Sequence, residues 1–156
     1  MDLGKHLKVV KFFIYNNYMD KIFILVIIIL VLFLFRKNTI TVKARVAKTS
    51  DEIRKGLMFI KKPLPKNEGM IFLMPFKNNH LFWMKNTFIP LDIIFIDKTK
   101  NKNKFKIIGF HKNRKPLDEV LMGIGTPSDY VLEMNGGWLD KNKLKKRNII
   151  KIKYLK

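Results

Sequence analysis

Two carboxylates stand where a carboxylate is costly. Asp92 lies inside the apolar run Leu91 to Ile96, and Glu133 lies inside Val131 to Met134. A buried, unpaired carboxylate loses several kcal/mol of solvation, so each must be paired, hydrogen-bonded or protonated. Either acid could therefore grip a ligand or move a proton. Just upstream of Asp92, Trp83 offers an aromatic face, and the turn Lys85-Asn86-Thr87 offers hydrogen-bonding groups. Trp83, Asn86, Thr87, Asp92 and Glu133 form the candidate ligand-binding set. A plainer reading stands beside each. Asp92 would accept hydrogen bonds from the Asn86-Thr87 turn and lock it. Glu133 would face solvent or pair with a lysine, and Trp83 and Trp138 would pack in the core. Paired with Asp92 or Glu68, Glu133 could instead form an acid/base couple of the glycosidase kind, which depends on a separation that sequence does not give.

Other chemistries find little support. The chain has no cysteine, which excludes a disulfide framework, a zinc-thiolate site and a thiol nucleophile. His80 and His111 have no partner at metal-ligand spacing, so no metal or cofactor is expected. The methionines are scattered singly among apolar residues, as packing requires. Gly123-Ile124-Gly125 lacks a phosphate-loop lysine, and neither Ser50 nor Ser128 sits in a nucleophile elbow. Gly136-Gly137 with the two tryptophans could make an aromatic platform for a sugar-like ligand.

The elements that would position these residues are mostly strands. Ile40 to Ala47 alternates, with Ile40, Val42, Ala44 and Val46 on one face. Thr49-Ser50-Asp51-Glu52 is a helix N-cap with acids in the first turn, and the short helix should end near Gly56. Strands are expected over Gly69 to Met74, Leu81 to Met84, Leu91 to Ile96, Phe105 to Phe110, Val131 to Met134 and Asn148 to Tyr154. His111 to Tyr130 reads as a long irregular flap, and Asn135-Gly136-Gly137 as a tight turn. The expected fold is mainly β with one short helix (α+β): a small β-barrel or sandwich domain over residues 40–155.

A chemically distinct segment precedes it. After a basic lead of residues 1–21, Ile22 to Phe35 has no polar side chain and is bracketed by Lys21 and Arg36. The run spans about 21 Å as a helix, short of a bilayer core of roughly 30 Å, but flanking lysine and arginine can snorkel outward. Residues 22–36 are expected to be an uncleaved single-pass transmembrane anchor that contacts membrane lipid. Three basic residues lie within 15 positions before the run and five after it, a slight bias toward a cytoplasmic domain. The net charge is +20. That surplus suits nucleic acid or an anionic lipid surface, yet it is almost all lysine in a chain poor in alanine, which compositional bias alone produces. Nucleic acid is disfavoured as a partner.

Several pieces taken in order resemble one family. They are Gly56-Leu57-Met58, Gly69 to Phe72, the block FWMKNTFIPLDIIFID from Phe82 to Asp97, and Val131 to Trp138. The series is similar to the uncharacterised membrane-associated family called domain of unknown function 192, over roughly residues 40–155. The resemblance implies a small β-rich domain, often behind an N-terminal signal or anchor, with no established activity. Two positions depart from the family's pattern. Phe59-Ile60-Lys61 stands where an arginine usually follows, and Arg147-Asn148 replaces a Gly-Asp turn. Together these readings favour a membrane-anchored binding or structural module for a small molecule or protein. A hydrolase using Asp92 or Glu133 as acid/base is the alternative, and a basic nucleic-acid or anionic-lipid surface binder a distant third.

Overall fold

The computed structural model describes residues 18–30 and 39–155. The chain divides into two compact units, Met1–Asn38 and Thr39–Lys156. In the first, residues 18–30 form helix α1, and every side chain from Ile22 to Leu30 is exposed along it. Among the described residues no helix is long and apolar enough to cross a membrane. Residues 31–36 of the expected anchor, and most of the basic lead, lie outside the described residues.

The second unit is a closed six-stranded barrel. Its strands are β1 (Ile40–Ala47), β2 (Glu68–Asn78), β3 (Leu91–Lys98), β4 (Lys104–Arg114), β5 (Ser128–Asn135) and β6 (Ile149–Tyr154). Around the barrel the order is β1-β2-β5-β3-β4-β6, and β6 closes onto β1. β1 runs parallel to both its neighbours, and the remaining pairs are antiparallel. Helix α2 (Ser50–Lys55) follows β1, and α3 (Trp138–Lys141) follows β5.

Alternation fills the interior from all six strands. Val42, Ala44, Ile71, Ile94, Phe105 and Leu132 are among the residues that meet there, and Trp138, Leu139 and Leu144 plug one part of this core. A second apolar layer covers the outside of β2, β5 and β3. Phe72, Ile93, Phe95 and Val131 face outward from those strands, under Leu57, Phe82, Met84 and Met122 from the connecting loops. β3 is thus buried on both faces, which explains why its sequence, Asp92 apart, is apolar from Leu91 to Ile96 rather than alternating.

Several sequence expectations change. Leu81 to Met84 is not a strand; its one β-bridge joins Phe82 to Met122, and the Met84 N–H donates to the Asp118 carbonyl at 2.8 Å. Its alternation is real but serves a strap, with Phe82 and Met84 pressed inward and Leu81 and Trp83 outward. The flap is shorter than His111 to Tyr130, because β4 continues to Arg114 and β5 starts at Ser128. His111 Nε2 lies 3.0 Å from the Gly123 carbonyl and ties the flap to β4. β2 extends to Asn78, past Pro75, across a register shift between Leu73 and Asn78. A second short helix, α3, occupies what reads as turn and loop, so the barrel domain holds two short helices rather than one. Near the last strand, Arg147 adopts the left-handed region (φ 72) that a glycine would occupy freely. The Asn148 side chain accepts the Lys145 N–H there, so the turn survives its unusual residues.

Asp92 is what fixes α3. It points into the interior and is fully buried. Its Oδ1 accepts the N–H of Asn113 (2.7 Å) and of Gly137 (3.1 Å), and its Oδ2 accepts that of Leu139 (2.7 Å). Gly137, the N-cap of α3, has φ 80, a conformation that lets the following amides turn toward the carboxylate. The Asn86-Thr87 turn is not its partner. Helix starts expose unpaired N–H groups, and a carboxylate from another strand satisfies them here. Asp92→Asn places an amide N–H against an N–H it must accept and removes the charge. Urea unfolding at pH 7 should show a loss of about 3 kcal/mol; an unchanged midpoint would contradict this role.

Candidate functional site

Glu133 occupies the opposite situation. Strand alternation that turns Leu132 and Met134 inward turns Glu133 outward, beneath the second apolar layer. It is 5% exposed, and its Oε2 has no hydrogen-bond partner among the described residues. Among the described residues no cation pairs with it. Burial pushes its carboxyl up to about 8, an effect that the nearby Leu57 N–H only partly offsets. At neutral pH the group is mainly a protonated acid whose O–H has nothing to donate to.

That acid lies at a pocket of about 260 Å3. Phe72, Phe82 and Leu57 are buried lining residues, while Trp83, Arg54 and Lys55 line it toward solvent. The end of α2 shapes this wall. Thr49 and Glu52 form a capping box, the Thr49 hydroxyl accepting the Glu52 N–H and Glu52 Oε2 accepting the Thr49 N–H. The helix stops at Gly56, whose φ of 46 suits glycine, and a Cβ there would lie 3.1 Å from Phe72 and 3.5 Å from Glu133 Oε2. Glycine keeps the space beside the acid open.

The candidate residues divide among three places. Trp83, Thr87 and Glu133 line this pocket together. Asn86 lines an adjoining open groove with Phe59 and Lys85, a groove that shares Trp83 with the pocket. Asp92 belongs to neither and is consumed by its three amides. Trp138 is in the core, its indole N–H donating to Asn67 Oδ1 at 3.0 Å, so the two tryptophans do not form one platform. Glu133 is neither surface-facing nor lysine-paired. Arg54, Lys55, Gly56 and Phe72 join the site beyond the candidate set; a helix ending at Gly56 is legible in the sequence, but nothing local ties it to a residue 77 positions later.

The family described as "Uncharacterized ACR", DUF192, matches residues 33–152. The chain belongs to this family. The motifs from Gly56 through the Phe82–Asp97 block to Trp138 lie within this span and supply the pocket wall, the strap, β3 and the α3 cap. Two solved structures are similar. One is a protein of unknown function from Novosphingobium aromaticivorans DSM 12444, 38% identical, covering 67% of this chain and 71% of that one, with a TM-score of 0.59. The other, from Sinorhizobium meliloti 1021, is provisionally named a transcription regulator; it is 28% identical, covers 68% of this chain and 78% of that one, and gives a TM-score of 0.60. No curated protein matches the chain.

The raised carboxyl has a direct consequence for stability. The folded protein holds the Glu133 proton up to about pH 8, whereas the unfolded chain releases it near 4.5. Stability must therefore fall as pH rises between those values, by about 1.4 kcal/mol per pH unit at most. Glu133→Gln should remove that slope and be more stable than the parent at pH 9 by roughly 3–5 kcal/mol in denaturant titrations. Parallel pH profiles for parent and variant would refute the buried, protonated state.

Proposed function

We propose that the barrel is a binding module for a small, largely apolar molecule that accepts a hydrogen bond from Glu133, and that residues 22–36 anchor the chain in a membrane. The observation that carries the first half is the unpartnered Oε2 of a buried acid in a pocket walled by Phe72, Phe82 and Leu57. Buried polar groups are nearly always satisfied, and one that is not marks a place where a partner arrives. An uncharged carbonyl or hydroxyl would complete the bond without ionising the acid. The exposed Arg54 and Lys55 disfavour a cationic ligand.

Hydrolysis is less well supported. Among the described residues Glu133 is the one carboxylate lining the pocket, and Asp92 lies on the other face of the sheet with both oxygens engaged. Glu68 does not line the pocket either. An acid/base couple lacks its second member.

NMR titration with ε-caprolactam, a small uncharged ring carbonyl, provides a test. Amide shifts of Gly56, Leu57 and Glu133 should move, with affinity falling several-fold as pH is raised from 7 to 9. Glu133→Leu should abolish the response, while Glu133→Gln, still a donor, should retain it and lose the pH dependence. Affinity that rises with pH would point to a cation and sink the reading.

Support for the anchor comes from the uninterrupted apolar run Ile22 to Phe35 and from the exposed apolar surface of α1, which water covers poorly. Full-length protein should remain with membranes through an alkaline carbonate wash. Substituting Ile27 and Ile28 by Asp should release it, and parent protein in the soluble fraction would refute the anchor.

A further inference from the structure

We propose that the face surrounding the pocket is a membrane-docking surface, on which Phe59, Trp83, Leu117 and Leu121 seat against an anionic lipid bilayer. This rests on the anchored reading above for proximity to lipid, but its evidence is separate and lies in the backbone. Among the described residues eight non-glycine positions have positive φ, and four of them are asparagine, the residue that tolerates it best. Two are large and apolar: Phe59 (φ 66) and Leu117 (φ 62). Both are exposed, at 59% and 55%. An ordinary turn would use glycine or asparagine here, as the chain does at Asn67, Asn103 and Asn113.

One short turn holds both residues in place. The Phe59 N–H donates to the Asn86 carbonyl at 2.8 Å, and the Leu117 N–H to the Thr87 carbonyl at 3.1 Å. Asn86 is itself left-handed, with φ 52. Consecutive carbonyls of Lys85-Asn86-Thr87 thus fix two loops, 59 and 117, that are far apart in sequence. Strain that the surroundings enforce, spent on presenting apolar side chains to solvent, signals a surface awaiting a partner. The pocket belongs to this face, since Trp83 and the exposed Leu81 and Leu121 line it, while Phe59 shares the adjoining groove with Trp83.

Charge selects the partner. Residues after 39 include 26 basic and 10 acidic side chains. At the face itself Lys85 lies over the Trp83 ring, 5.1 Å from its centre, and Lys55 adds a further cation. Arg54 is paired with Asp51, and Lys85 approaches Glu119 at 3.5 Å, so the rim is mixed while the domain's field is positive. A second copy of so basic a domain is repelled. An anionic bilayer suits both the apolar residues and the field, with lysine at the headgroups and tryptophan at the interface. Four residues, Arg36 to Thr39, join the apolar run to β1 in sequence.

Full-length protein in vesicles containing brominated phosphatidylcholine and phosphatidylglycerol tests this through tryptophan fluorescence. Trp138 is buried in the barrel, so bromine should quench the Trp83 emission, and Trp83→Phe should lose the quenching. Pairing Phe59→Asn with Leu117→Asn keeps residues that accept the left-handed backbone and should cut quenching several-fold. Purely zwitterionic vesicles should quench less. Protein that floats with vesicles but shows no Trp83 quenching keeps its anchor and overturns the docking face, leaving that face to an acidic protein. Protein that neither floats nor quenches overturns both, and equal quenching in the double variant or in zwitterionic lipid overturns the proposed contacts.

Discussion

The Asp92 carboxylate, sealed inside the barrel, gathers amides from Asn113, Gly137 and Leu139. Those amides come from the end of β4 and from the start of α3, segments brought together by nothing local. Each bond to a charged acceptor is stronger than a neutral one, and the three leave no oxygen idle. Through Leu139 and Trp138 the same carboxylate seats the plug that completes the interior. A buried ion that is fully hydrogen-bonded is tolerable; the same ion missing one partner is not.

Glu133 sits on the neighbouring strand β5 and shows the contrast. Ile93, next to Asp92, pairs with it across the sheet, yet the two acids face opposite layers. Asp92 meets backbone donors, whereas Glu133 meets phenylalanine rings and a space kept clear by Gly56. One acid has been absorbed by architecture and the other left available for chemistry. Identical residue classes in adjacent apolar strands thus serve separate ends, and only their surroundings tell them apart.

Much of this was legible in the chain. Alternation in Ile40 to Ala47, the N-cap and first-turn acids of α2 and the apolar run of β3 around Asp92 each encode an element through local rules. The cost of burying Asp92 was equally readable, and it correctly required hydrogen bonds. Its donors were not readable, because Asn113 and Leu139 are remote in sequence and meet it only through the tertiary fold, Asn113 across the β3–β4 pair and Leu139 from α3. The strap through Phe82 and Met84 failed as a strand because period-two alternation describes any extended segment with one buried side. For the candidate set, Trp83, Thr87 and Glu133 converge, Asn86 lies beside them, and Asp92 departs. α3 was hidden since four residues carry too little periodicity to announce a helix.

Closure has a further consequence. Ile40 of the first strand pairs with Ile150 of the sixth, so β1 gains one of its two neighbours only after β2 to β5 have been made. Contacts so distant along the chain slow folding. Until β6 arrives, the nascent domain presents β1 with an open backbone edge, which is a hazard for mispairing. The alternating Thr41, Lys43 and Arg45 place two cations on that waiting strand and discourage a stranger from adding to it.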